Sequence, residues 1–122
     1  MRRAPEQQLQ IAVAEYLDLV LDGIPWTAIN PIPGKSKAIA GLSKAMGLRA
    51  GFPDIMILYN ERAYFIEMKD LHGTFTDSQR EMFPRIRGQK VQIATCRSLA
   101  EVDLALDSFG IPHRRVHFQR AA

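Results

Sequence analysis

Glu67-Met68-Lys69 joins an acid to a lysine two residues away, at the end of the apolar run 63–68. In a chain with thirteen acids and five lysines, chance supplies about 13 × 5/122, or roughly 0.5, such triplets. Composition therefore does not distinguish this one; its placement does. Along an extended strand Phe65, Glu67 and Lys69 point to one face while Tyr64, Ile66 and Met68 point to the other. Two charged side chains thus share one face of an otherwise apolar strand.

A second apolar run, 55–59, precedes it across Asn60-Glu61-Arg62, and the two read as a hairpin. A turn centred on Asn60-Glu61, although not a favoured two-residue turn sequence, sets Asp54 directly opposite Glu67. Opposed side chains have Cβ atoms ~4.5–5.5 Å apart, and like charges at that distance repel, so something positive belongs between them. A hard divalent cation such as Mg²⁺ takes oxygen ligands and is often held by one or two carboxylates. Lys69 lies ~6–7 Å further along the same face, within reach of a water or phosphate at that ion. The alternative is an ion pair between Lys69 and Glu67 at the surface, with Asp54 merely closing a strand after Pro53.

The elements that must position these residues follow from periodicity. Over 5–21, Leu9, Val13, Tyr16, Leu17 and Val20 recur at helical steps, with Pro5 in the first turn and Gly23 beyond the end. Residues 26–29 form a short strand that runs into Pro31-Ile32-Pro33-Gly34, and a loop of about twenty residues is expected after it. Thr76 and Gln79 have capping-box spacing and start a helix with Met82, Phe83 and Ile86 inward; Pro84 is expected to kink or end it. Residues 90–95 alternate as a strand, and Ser98 with Glu101 caps a last helix that runs to Gly110. The result is a mixed α/β sheet with helices on its faces.

Composition bounds the rest. With 122 residues, 47% of them hydrophobic, the chain reads as one domain over 1–122 with a core large enough to need no disulfide. Cys96 alone makes neither a bridge nor a thiolate zinc cluster, and it is expected to be a buried small hydrophobe in a protein of a reducing, cytoplasmic compartment. Glu15, Asp18 and Asp22 interrupt the first apolar stretch, so neither export nor a membrane span is expected. Gly34-Lys35-Ser36 lacks the preceding glycine of a phosphate loop, Ile29 standing in its place, which argues against a nucleotide cofactor. The net charge is only +3, yet Lys35, Lys37, Lys44 and Arg49 stand in a stretch with no acid, and Arg80, Arg85, Arg87 and Lys90 are opposed by Glu81 alone. Such unevenness suits a polyanion such as DNA, or simply a solvated basic surface. His113 and His117 read as surface histidines beside Arg114 and Arg115, and His72 as a possible phosphate contact.

Taken together, Pro53-Asp54, Glu67-Met68-Lys69, Pro5-Glu6, Asn30-Pro31, the run from Gly47 to Asp54, and Gly73 with Thr76 and Gln79 resemble the VRR-NUC family of the PD-(D/E)XK nuclease superfamily over residues 5–106. The resemblance implies a restriction-endonuclease-like core, a four-stranded mixed sheet in αβββαβα order. It implies a stand-alone Mg²⁺- or Mn²⁺-dependent DNA endonuclease, selective for branched or junction DNA and leaving a 5′-phosphate; a homodimer is expected because one domain offers one site and a two-fold pair would present two to two strands. Asp54, Glu67, the Met68 carbonyl and Glu6 would hold the metal; Lys69 would orient the attacking water and Gln79 orient water or phosphate. Lys35, Lys37, Lys44 and Arg49 would grip the backbone. A non-catalytic nucleic-acid-binding module, or a structural subunit of a larger DNA-processing complex, would keep the basic loops without metal-linked activity.

Overall fold

A computed structural model describes residues 5–29 and 36–118. The elements are α1 (Pro5–Val20), β1 (Trp26–Ala28), α2 (Lys37–Ala45), β2 (Ile55–Tyr59), β3 (Arg62–Met68), α3 (Asp77–Arg87), β4 (Gln92–Cys96) and α4 (Leu99–Phe109). The strands form one sheet in the order β1-β2-β3-β4, antiparallel except for β3 with β4, so the α/β order read from the sequence holds with one helix added. Among the described residues, no helix is long and apolar enough to cross a membrane.

That added helix corrects the expectation of a continuous loop. Ser36 accepts the Ile39 N–H at 3.3 Å, and the alanines, lysines and leucine that follow are good helix formers. The cap at Ser36 and the helical spacing of Ile39, Leu42 and Met46 were the signals, masked by the proline-rich approach. α2 buries none of its residues.

The β2–β3 hairpin has the expected register. Ile55 pairs with Ile66 and Tyr59 with Arg62, so Arg62 belongs to the strand and the turn is Asn60-Glu61 alone. Both turn residues have positive φ, 51° and 67°, which a two-residue hairpin needs to match strand twist. β4 starts later than read, at Gln92, because Lys90 takes a left-handed φ of 62° and closes the preceding turn.

Alternation along β3 sorts its side chains between two layers. Tyr64, Ile66 and Met68 join Val13, Leu17 and Val20 of α1 and Val102, Leu106 and Phe109 of α4 in the main core. Phe65, Glu67 and Lys69 are also buried, on the opposite face, which α3 covers with Gln79, Phe83 and Ile86. Cys96 is buried as expected, and burial pushes its thiol up to about 12.

α3 does not end at Pro84. It runs on to Arg87, with the Gly88 N–H reaching the Pro84 carbonyl at 2.9 Å. The missing proline N–H withholds the helical hydrogen bond from the carbonyl four residues back, that of Arg80, which is an exposed residue. α4 is capped by Ser98 and closed by Gly110 in the left-handed conformation, but the Glu101 carboxylate takes the Arg97 N–H rather than completing a box with Ser98. His113 is not at the surface: its side chain is 2% exposed, with Nδ1 2.8 Å from the Ile111 carbonyl and Nε2 2.9 Å from Asp103. His117 is exposed, as expected.

Candidate active site

Asp54 leads into β2 directly after the buried Pro53. Its Oδ2 accepts the Met68 N–H at 2.7 Å, doing with a side chain what the ladder no longer does with backbone. Continuing the register past Ile55 and Ile66 sets Pro53 opposite Met68, and proline has no N–H to give the Met68 carbonyl. The side chain of one residue and the proline before it thus release a main-chain oxygen at the end of β3.

Glu67 is 0% exposed. Its Oε2 receives Gln79 Nε2 at 2.7 Å and Lys69 Nζ at 3.0 Å. No donor among the described residues reaches Oε1, an uncommon state for a buried carboxylate oxygen. Gln79 is the hub of this arrangement: its Oε1 accepts Lys69 Nζ at 2.9 Å and the Thr76 N–H at 3.0 Å, while its own N–H goes to the Thr76 hydroxyl. The capping box that starts α3 therefore also aims the Gln79 amide at Glu67 and Lys69, so one side chain both caps the helix and joins the two charged groups. Lys69 Nζ lies 5.4 Å from the centre of the Phe75 ring, which packs edge-on against Phe83.

Glu6, in the first turn of α1, brings a third carboxylate. One oxygen each from Glu6, Asp54 and Glu67 lie within 4.8 Å of one another. Burial and then the Asp54 charge push the Glu67 carboxyl up to about 7, against the opposing pull of Lys69, and Glu6 is raised chiefly by burial. Three carboxylates beside one ammonium leave a local excess of negative charge. An orphaned buried oxygen, two neighbouring carboxylates and a carbonyl released from its ladder make a hard-oxygen donor set of the kind a divalent cation takes.

The structure thus brings Glu6, Asp54, Glu67, Met68, Lys69 and Gln79 together. Lys37, Lys44 and Arg49 are exposed, on α2 and the segment after it, and Lys35 lies outside the described residues, as does Asn30-Pro31. Gly51 ties that segment to α3: its α-carbon sits so close to the helix that an added Cβ would clash with the Ser78 carbonyl oxygen. His72 is exposed, on the turn that follows Lys69. Sequence reasoning missed Phe75, whose ring meets Lys69 through the fold rather than through any local pattern.

A family model described as the VRR-NUC domain matches residues 4–100. A solved structure titled "VRR_NUC domain protein" is similar with a TM-score of 0.61 and 19% identity, covering 89% of this chain and 90% of that one. Another, titled "VRR_NUC domain", gives a TM-score of 0.58 at 19% identity over 88% of this chain and 99% of that one. No match was found among curated proteins.

Proposed function

The chain belongs to the VRR-NUC domain family, and from that premise we propose that it is a Mg²⁺- or Mn²⁺-dependent endodeoxyribonuclease, selective for branched or junction DNA in replication, repair or recombination and working as a homodimer. The observation that carries the catalytic part is Glu67, whose buried Oε1 has no donor among the described residues and whose carboxylate lies beside those of Glu6 and Asp54. Asp54, Glu67 and the Met68 carbonyl would hold the metal, with Glu6 completing the oxygen set. A divalent cation bound there supplies a water of lowered pKa and withdraws charge from the scissile phosphate.

The remaining work falls to the chain's own groups. Lys69 Nζ has three N–H bonds, and Glu67 and Gln79 take two of them, leaving one for the attacking water or a phosphate oxygen. Gln79 fixes Lys69 and Glu67 relative to each other, so little reorganisation is needed as negative charge develops on the phosphate. The Phe75 ring beside Lys69 excludes water from one side of the ammonium. Lys37, Lys44 and Arg49 would hold the DNA backbone.

Incubating the parent and Lys69→Ala with end-labelled linear and four-way (Holliday) junction DNA, with Mg²⁺, with Mn²⁺ or with EDTA, tests this reading. The parent is expected to cut only with metal, and the variant to bind DNA without cutting. A parent that cuts nothing with either Mg²⁺ or Mn²⁺ would leave the binding-module alternative.

A further inference from the structure

We propose that Arg97 is a positioning residue for this site: from the end of β4 its guanidinium clamps the turn that follows Lys69 and thereby sets how Lys69 and Gln79 meet Glu67. The inference rests on the nuclease reading for its activity measurements.

The last rung between β3 and β4 is the Lys69 N–H to the Cys96 carbonyl, 3.0 Å. Beyond it the chain leaves the sheet in a turn whose Gly73 N–H reaches back to the Asp70 carbonyl at 3.2 Å. Arg97, the next residue after β4, donates from one guanidinium nitrogen to the carbonyls of both Asp70 and Gly73, the latter at 2.9 Å. Hydrogen bonds from a charged donor are roughly twice as strong as neutral ones. Arg97 is itself anchored, because its backbone N–H goes to Glu101 Oε1 at 2.8 Å in the first turn of α4.

The clamped segment walls Lys69 along its length. A Cβ on Gly73 would lie 3.5 Å from Lys69 Cδ, Phe75 faces Lys69 Nζ, and Thr76 supplies the N–H that holds Gln79 Oε1. Those contacts span the whole connection from Lys69 to Gln79, the two residues that grip Glu67 Oε2. Arg97 bonds to main-chain carbonyls of that connection, so its action on the site runs through the turn. A misplacement of about 1 Å in a catalytic group costs up to ~100-fold in rate.

Arg97→Met, which keeps the stem and removes every donor, is expected to lower kcat on junction DNA by tenfold or more with KM unchanged within about twofold. Arg97→Lys, which keeps a charged donor, should recover most of that loss. Hydrogen exchange read by mass spectrometry should show faster exchange in residues 70–76 of Arg97→Met and parent-like exchange in β2. If the methionine variant does not fold, Arg97→Gln carries the same comparison. Parent-like kcat, a proportional rise in KM, or unchanged exchange over 70–76 would overturn the proposal. If the parent itself does not cut DNA with metal, the nuclease reading fails, and the exchange measurement alone decides whether Arg97 holds the turn.

Discussion

Glu67 is wholly buried, with one oxygen held by Lys69 and Gln79 and the other without a donor, and its carboxyl titrates near 7 because burial and Asp54 outweigh Lys69. In metal-free protein the folded chain therefore keeps this proton more tightly than the unfolded chain, whose carboxyl titrates near the ordinary 4.5. The group's stabilising contribution is fully present below about 4.5 and is lost as pH rises through 7, at most about 1.4 kcal/mol per pH unit. Thermal melts in EDTA should show the parent losing stability between pH 5 and 8 relative to Glu67→Gln, with Mg²⁺ restoring the parent alone at pH 8. Parallel pH profiles for the two proteins would contradict this. The neighbouring Asp54→Asn keeps an oxygen for the Met68 N–H while removing the charge that faces Glu67. Its melting temperature in EDTA at pH 8 is expected to rise by roughly 4 °C, about 1 kcal/mol, and its gain on adding Mn²⁺ to shrink. No rise would mean that repulsion between the two carboxylates is not what limits the metal-free state.

At the scale of elements, the close approach of residue 51 to α3 matters most. Gly51 has φ +91°, and a side chain there would meet the Ser78 carbonyl. Gly51→Ala should cost about 2–3 kcal/mol in urea unfolding, from left-handed strain plus the clash, and should weaken metal-induced stabilisation because the same segment leads into Asp54. Unchanged unfolding would show that the segment packs otherwise. α2 behaves differently, since it buries nothing and its loss of charge leaves the core alone. Replacing Lys37, Lys44 and Arg49 together by alanine is expected to weaken DNA binding equally for all sequences and to flatten the slope of log K against log salt by about 3. A sequence-dependent loss, or an unchanged slope with parent affinity, would remove these residues from the DNA path.

For the whole molecule, each chain presents the Glu6, Asp54 and Glu67 cluster, and a two-fold pair would present it twice, to two strands. Light scattering at micromolar concentration is expected to give the mass of a dimer. In competition, a four-way junction should displace labelled junction at lower concentration than its linear duplex does, since shape and backbone contacts rather than base edges set the preference. A monomer that binds both DNAs alike would remove the dimer and the branch selectivity while leaving metal-dependent cleavage to be judged on its own.

What the sequence determined by itself was local and periodic. Alternation along β3 put Glu67 and Lys69 on one face, and the lengths of the two runs set the hairpin register that opposes Asp54 to Glu67. The Thr76–Gln79 spacing started α3, because capping is a contact between residues three apart. Tertiary structure decided the rest, since those contacts join residues distant in sequence. The Glu67 and Lys69 face is buried rather than at the surface because α3 closes over it, and Gln79 meets Glu67 because its capping amide also reaches across to β3. Arg97 lies 24 residues from Gly73 and His113 ten from Asp103, separations that no periodicity encodes. Pro84 shows the same limit, since its cost depends on where the helix that carries it is packed, and α3 runs on past it to Arg87 with Arg80 on an exposed position.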